Sequence, residues 1–432
     1  MTRLRYIWEE LNASFWFIPT LILVFSIVAA SAFVYTDHLI DYSPSGFLEH
    51  LFSGSVDSAR RILTVIAGAM IGVAGTVFSI TLVVLTLASS QLGARMLRNF
   101  MYDRLNQFVL GTYVSTFVYC LMVLSSISQD DDSYFVPVIS VFVAIILAIA
   151  GIMLLIVFIH HISVSIHANK VISDISDSLL KNIDKLFPDE LGYGNTRPVP
   201  DVGAIKKKSN RAIIKCLRSG YLQSVDSDNL MELSRKEDLV IFLNFKPGGY
   251  VVKDQIISEV FSDGEIKEGI SEKINKSFII GKIRTPIQDA EFSIQQMAEI
   301  ACRALSPGIN DPFTAISCID SLTAVMCRMT SVSFPSPYRY DDDDKLRIIA
   351  NSPSYGEMLD AAFNQIRNYA EGSPAVIIRL MDSIVTINKF VNVDEQKKEL
   401  LIHAEITMNS AENTFKEHRD LNALKDRFLT LR

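Results

Sequence analysis

Residues 15–35, 62–89, 108–127 and 135–159 are free of charged side chains, whereas the chain after them alternates polar and apolar positions at short period. Each run has the roughly 20 residues a helix needs to cross the hydrocarbon of a bilayer. Soluble core helices rarely stay uncharged for so long four times in succession. The pattern predicts an integral membrane protein with four transmembrane helices in residues 1–162. Ala30-Ser31-Ala32 could pass for a cleavage site, but we expect the first run to stay as an anchor.

Basic residues near the ends of the runs set an orientation. Arg3, Arg5, Arg95, Arg98, Arg104, Lys170 and Lys181 fall on one side, against Arg60 and Arg61 on the other. The second side also carries Asp37, Asp41, Glu49, Asp57 and Asp130 to Asp132. Both termini, and everything after about residue 160, are therefore expected in the cytoplasm. Trp8, Trp16 and Tyr35 lie where interfacial aromatics belong.

The period changes after the fourth run. Ile172, Ile175, Leu179, Ile183 and Leu186 recur every three or four residues, the signature of an amphipathic helix able to pack on a partner or on a copy of itself. "PDELGYGNTRPVPDVG" (188–203) is broken by Pro and Gly and reads as a linker, completing a segment 163–203. Between residues 204 and 285, short β-type runs bounded by turn residues surround Lys246-Pro247-Gly248-Gly249. Their order resembles a small lipoyl-like or hammerhead barrel, without a modifiable lysine in the expected tight turn. From 286 to 432 the periodicity is helical, with one stripe from Ile287 to Ala304 and another from Phe313 to Met329. Tyr340-Asp341-Asp342-Asp343-Asp344-Lys345 is expected to be a solvated acidic loop. Calcium there would need ligands spaced along a loop and a bidentate acid further on. The fold class predicted is an α-helical membrane protein with four transmembrane helices, plus a cytoplasmic α+β region in which a small β-barrel-like module precedes a helical domain.

Two stretches carry candidate chemistry. In the second run Thr64, Gly68, Gly72, Gly75, Ser79, Thr86 and Ser90 fall at helical spacing on one face, interrupted only by Leu82, with Arg60 and Arg61 at the outer mouth. Small residues at this spacing let helix backbones approach closely; the same face suits a helix lining a narrow aqueous path. The two readings are compatible if helices pack around an axis. Thr112, Ser115, Tyr119 and Ser126 repeat the pattern weakly in the third run. The second stretch is "RALSPGINDPFTA" (303–315), where Gly308 suits the left-handed position past a helix end. Asp311 and Pro312 suit the N-cap and first position of the next helix. It reads as a rigid helix–helix corner. The alternative treats Asp289, Glu299, Arg303, Asn310 and Asp311 as a polar cluster that binds a ligand or a neighbouring subunit.

Composition narrows the classes. A net charge of −7 argues against a nucleic-acid partner. Cys120, Cys216, Cys302, Cys318 and Cys327 form no CxxC pair and show no metal-ligand spacing; His160 and His161 are adjacent and diverge on a helix, with His167 two turns from His160, so neither metal nor cofactor is expected. Walker loops, HExxH, GxSxG and dinucleotide fingerprints are absent.

"LASSQLGARMLRNFMYDRLNQFVLGTYVSTFVYCLMVL" (87–124) and "FSIQQMAEIACRALSPGINDPFTAISCIDSL" (292–322) resemble the predicted bacterial inner-membrane proteins grouped as domain of unknown function 2254. The resemblance covers nearly the whole chain and implies architecture and a membrane location, but no reaction. Two classes follow. One is a homo-oligomeric channel for a small ion, embedded in the lipid bilayer, with the second span nearest the axis. The other is a membrane-anchored sensor or scaffold whose cytoplasmic part binds a ligand or protein. An enzyme is not expected.

Overall fold

The computed structural model describes residues 14, 16–39, 56–93, 103–130, 133–165, 167–187 and 200–431. Arg3, Arg5, Trp8, Asp41, Glu49, Arg95, Arg98, Asp131, Asp132 and most of the expected linker lie outside them. The chain divides into two compact units, Met1–His167 and Ala168–Arg432.

In the first unit the uncharged runs become α1 (Phe17–Leu39), α2 (Val56–Leu92), α3 (Arg104–Ser126) and α4 (Val138–Ser165). All four are long and apolar enough to cross a membrane. A short hairpin, β1 (Ser128–Asp130) with β2 (Ser133–Phe135), joins α3 to α4. Helix α3 is the hub: α1, α2 and α4 all pack against it, and it is the most buried of the four. Close approach has a local cause at Gly111, where an added Cβ would stand 2.9 Å from Ile22 Cδ1 and from Pro19 Cα of α1. Only a residue without a side chain lets α1 and α3 come so near.

The second unit opens with α5 (Ala168–Leu186). Its apolar face buries Ile172, Ile175, Leu179 and Ile183 against α9 (Ala290–Ala304) and α10 (Pro312–Met329) of the same unit. A separate partner for that face is thus not needed, contrary to the expectation from periodicity alone.

After α6 (Val202–Lys206), the β-type runs form β3 (Asn210–Lys215), β4 (Gly220–Val225), β5 (Val240–Leu243), β6 (Tyr250–Val251), β7 (Ile256–Ser262) and β8 (Phe278–Gly281). Helices α7 (Ser227–Lys236) and α8 (Ile270–Asn275) interrupt them. The strands make two sheets rather than one closed barrel. Five strands run β3-β7-β5-β10-β9 and three run β6-β4-β8, around a shared core that includes Ile214, Leu222, Ile241, Val260, Ile280 and Ile348.

Two of the five strands correct the expected boundary at 286, because β9 (Tyr338–Tyr340) and β10 (Leu346–Ala350) come from the region read as wholly helical. Strand β10 pairs parallel to β5, with Ile348 opposite Ile241. The acidic run is the turn of this hairpin, and its first residue is not solvated. The Asp341 carboxylate accepts from the Asp343 and Lys345 amides and from Arg347 Nε at 2.6 Å, with its side chain 1 % exposed. Burial opposes that charge, and the Arg347 guanidinium with the two amides outweighs it, so the carboxyl is held below its usual range.

The rest of the unit is helical. Helix α11 (Tyr355–Leu359) begins with a capping box between Ser354 and Glu357. It runs through a π-helical turn (Asp360–Asn364) into α12 (Gln365–Tyr369), followed by α13 (Pro374–Asn388). The C-terminal charged stretch forms two helices, α14 (Asp394–Thr414) and α15 (His418–Leu429).

Candidate functional site

The stripe on α2 is a surface. Thr64, Gly68, Gly72, Gly75, Ser79, Leu82, Thr86 and Ser90 are all exposed, and among the described residues nothing lies within 4 Å of a Cβ built on Gly68, Gly72 or Gly75. The opposite face of the same helix, Ala59, Leu63, Ala67, Met70, Ala74, Val77, Val84 and Ala88, is buried by the unit's own helices. At 100° per residue the two faces lie well over a third of a turn apart. The hydroxyls find acceptors within the helix: Thr64 on the Arg60 carbonyl at 2.7 Å, Ser79 on Gly75 at 2.9 Å and Thr86 on Leu82 at 2.9 Å. Each of these hydroxyl protons is satisfied within its own helix. Arg61 continues the exposed face, while Arg60 is half-buried and reaches the Ile127 carbonyl at 3.5 Å.

The weaker stripe on α3 is the reverse case. Ser115 and Tyr119 are buried inside the bundle. The Ser115 carbonyl accepts from Ser26 of α1 at 2.8 Å, and the Tyr119 hydroxyl donates to the Ser140 carbonyl of α4 at 3.1 Å. Tyr113, in the same seam, donates to Gly151 at 2.5 Å. These groups hold helices together.

Both ends of the bundle carry polar contacts that periodicity did not reveal. Asp37, at the end of α1, accepts from the Ile139 and Ser140 amides at 2.9 and 3.0 Å and from the Ser140 hydroxyl at 2.6 Å. It satisfies the free N–H groups that open α4. At the other end Asp103 caps α3 through the Leu105 amide and meets His161 Nε2 at 2.5 Å, with Ser165 beside it. The cap is legible in "MYDRLNQ"; its pairing with a histidine 58 residues away is not.

In the second unit the 303–315 stretch is a capped corner. Asp311 accepts from the Phe313 and Thr314 amides, both at 3.1 Å, and from the Thr314 hydroxyl at 2.6 Å, with Pro312 in the first turn. The Thr314 hydroxyl bond, ahead of the two amides, keeps its carboxyl below the usual range against the small cost of burial. Gly308 does not end the preceding helix, which stops at Ala304. The left-handed residue is Asn310, at φ 49°, a conformation asparagine tolerates better than most.

Of the alternative polar cluster, Asp289 stands apart from the corner. Asp289 caps the far end of α9, and fifteen helical residues, about 22 Å of axis, separate it from the corner. There it accepts from the Phe292 amide and pairs with Arg284 through both oxygens, at 2.5 and 3.0 Å. Burial works against the Arg284 charge, but Asp289 outweighs it and the guanidinium pKa is raised. Gly248, at φ +92°, completes the contact, because a Cβ there would overlap the Asp289 carboxylate. Glu299 and Arg303 lie half-buried on α9, four residues apart. The corner exposes Pro307, Gly308, Ile309 and Asn310 together with Phe313, the last by 79 %.

A helical membrane bundle followed by a mixed sheet-and-helix unit defines the class, a multi-span membrane protein with a large second unit. The family model described as "Predicted membrane protein (DUF2254)" matches residues 12–386, and the chain belongs to that family. It is 28 % identical over 431 residues to uncharacterized proteins of Mycobacterium bovis and Mycobacterium tuberculosis, covering 97 % of this chain and 80 % of each relative. No solved structure matches it.

Proposed function

We propose that the protein is a homo-oligomer in the bacterial inner membrane, with both termini in the cytoplasm, whose α2 helices turn their small-residue faces to a common axis and line an ion path. The observation that carries this reading is the outward stripe from Thr64 to Ser90, exposed along its length while the opposite face of α2 is buried. Glycine surfaces let a second helix backbone approach closely, which lipid tails do not reward. Around an axis, the hydroxyl lone pairs of Thr64, Ser79, Thr86 and Ser90 supply polarity, and Leu82 supplies an apolar girdle. No ionisable residue lies on α2 between Arg61 and Leu92, which fits passive permeation better than coupled transport. No catalytic role is assigned to any residue. Acidic outer residues such as Asp57 and Asp130 favour cations, and Arg60 and Arg61 oppose them.

Flux into liposomes is the test, with purified wild type and Ser79→Phe compared across tension, voltage and pH. We expect wild type to conduct and the variant to lose most of the current. Silence from wild type under every condition, or equal currents from both, removes the channel reading. The exposed Ile309 and Phe313 on a rigid corner favour a second reading. In it the spans anchor a sensor or scaffold, and the corner presents these side chains to a protein.

A further inference from the structure

One end of the paired sheets gathers exposed apolar side chains and unpaired cations on a stiff support. The loop after β3, Cys216 to Ser219, lies against the turn from Val252 to Gln255. The Cys216 amide donates to the Gln255 carbonyl at 2.8 Å, and the Asp254 amide to the Cys216 carbonyl at 2.9 Å. The Lys253 amide donates to Ser219 Oγ, also at 2.9 Å. These three bonds make one tip of two loops. Leu217 is exposed by 68 % and Val252 by 51 %. Beside them Tyr250 of β6, exposed by 54 %, meets the Tyr221 ring edge-on at 5.0 Å.

Lys215, Arg218 and Lys253 flank these side chains, and all three are exposed. The Arg218 guanidinium donates to the Ile280 carbonyl, and none of the three meets a carboxylate among the described residues. Other cations of the same sheets are neutralised locally. Arg211, at the start of β3, pairs with Glu259 at 2.7 Å, and Lys208 with Asp263 at 3.1 Å. Asp254 is the one acid in the two loops of the tip.

Two aliphatic side chains and a tyrosine are too little for a stable protein interface, which buries about 800 Å² on each side. They suit the headgroup layer of a bilayer, where a few apolar side chains enter and cations on long stems reach the phosphates. Tyrosine is at home at that boundary. The chain keeps a bilayer within reach, because α5 opens the second unit at Ala168 and the fourth span ends at Ser165.

We propose that this tip docks on the surface of an anionic phospholipid bilayer. Leu217 and Val252 enter the headgroup layer, and Lys215, Arg218 and Lys253 pair with lipid phosphates. Docking needs a bilayer but neither a ring nor conduction, so it holds or fails apart from the channel reading.

The test is tryptophan fluorescence of full-length Leu217→Trp in proteoliposomes, with wild type supplying the background of Trp8 and Trp16. Two lipid mixtures carry the same fraction of brominated phosphatidylcholine, which quenches an indole that enters the bilayer. The remainder is phosphatidylglycerol in one and unbrominated phosphatidylcholine in the other. We expect background-corrected quenching about twofold greater with phosphatidylglycerol, and no difference at high salt. Lys215→Glu combined with Lys253→Glu should abolish the difference, whereas Lys398→Glu, a reversal on α14, should keep it. All four positions are exposed, and equal melting temperatures check that folding is intact. Equal quenching in the two lipids, or a phosphatidylglycerol effect that survives the paired reversal, would overturn the proposal. So would Leu217→Trp emission already blue-shifted in detergent and indifferent to lipid, which would mean that protein covers the tip.

Discussion

Helices α2 and α3 carry similar stripes of small and hydroxyl residues, yet they use them in opposite ways. On α3, Gly111, Ser115 and Tyr119 are enclosed, and the carbonyls and hydroxyls of this seam bond across to α1 and α4. On α2, Gly68, Gly72, Gly75 and Ser79 face away from the bundle, and the Ser79 hydroxyl donates to the Gly75 carbonyl of its own helix. A close-packing stripe is therefore spent inside the unit on α3 and, among the described residues, exposed on α2. The same residue types mark a stabilising seam in one case and a surface open to a neighbour in the other.

The largest effect that could break this contrast is expected at Gly111. Gly111→Leu forces a side chain into the backbone of α1 at Pro19, and should destabilise the monomer by about 3 kcal/mol, read by unfolding in detergent. A variant that melts like wild type would mean that α1 and α3 are not packed so closely.

A smaller effect is expected at the corner. Asp311→Ala removes a cap that accepts two amides, at a cost of about 1 kcal/mol. Full stability together with loss of a binding partner would instead make the corner a site.

The smallest effect is a pH slope. His403, 3 % exposed, lies 3.3 Å from Asp360 and edge-on to Phe363 in the π-helical turn. Burial lowers its pKa, with Asp360 pulling the other way and Arg367 adding to the fall. The unfolded chain therefore takes up this proton first. Stability from His403 is complete above about pH 6.5 and is lost as pH falls below it. Melts between pH 7.5 and 5 should show that slope in wild type and a flatter one in His403→Gln.

Much of this architecture is legible in the sequence, where the cause is local. Twenty uncharged residues announce a span, and Asp311-Pro312 announces a helix start, because each needs only its neighbours. The misses have non-local causes. Asp341 is buried because Arg347 turns back onto it, and β10 exists because β5 offers a parallel edge a hundred residues earlier. The face of α5 read as open to a partner is covered by α9 and α10. Gly308 was the obvious left-handed residue, yet the turn closes with the Ile309 and Asn310 amides on the Ser306 carbonyl, which gives that role to Asn310. Periodicity places the two stripes on helix faces but cannot say which face finds a neighbour within the chain.

The central claim, that the α2 face packs against other copies, is tested most directly by native mass spectrometry of wild type and Gly72→Leu. Among the described residues nothing lies within 4 Å of a Cβ built on Gly72, so a side chain can start there without meeting the bundle. Wild type is expected as a closed assembly of three or more copies. Gly72→Leu should shift towards monomers, with an unchanged melt of the monomeric species. A wild type that is monomeric across detergents and nanodiscs, or a Gly72→Leu assembly identical to wild type, would contradict it.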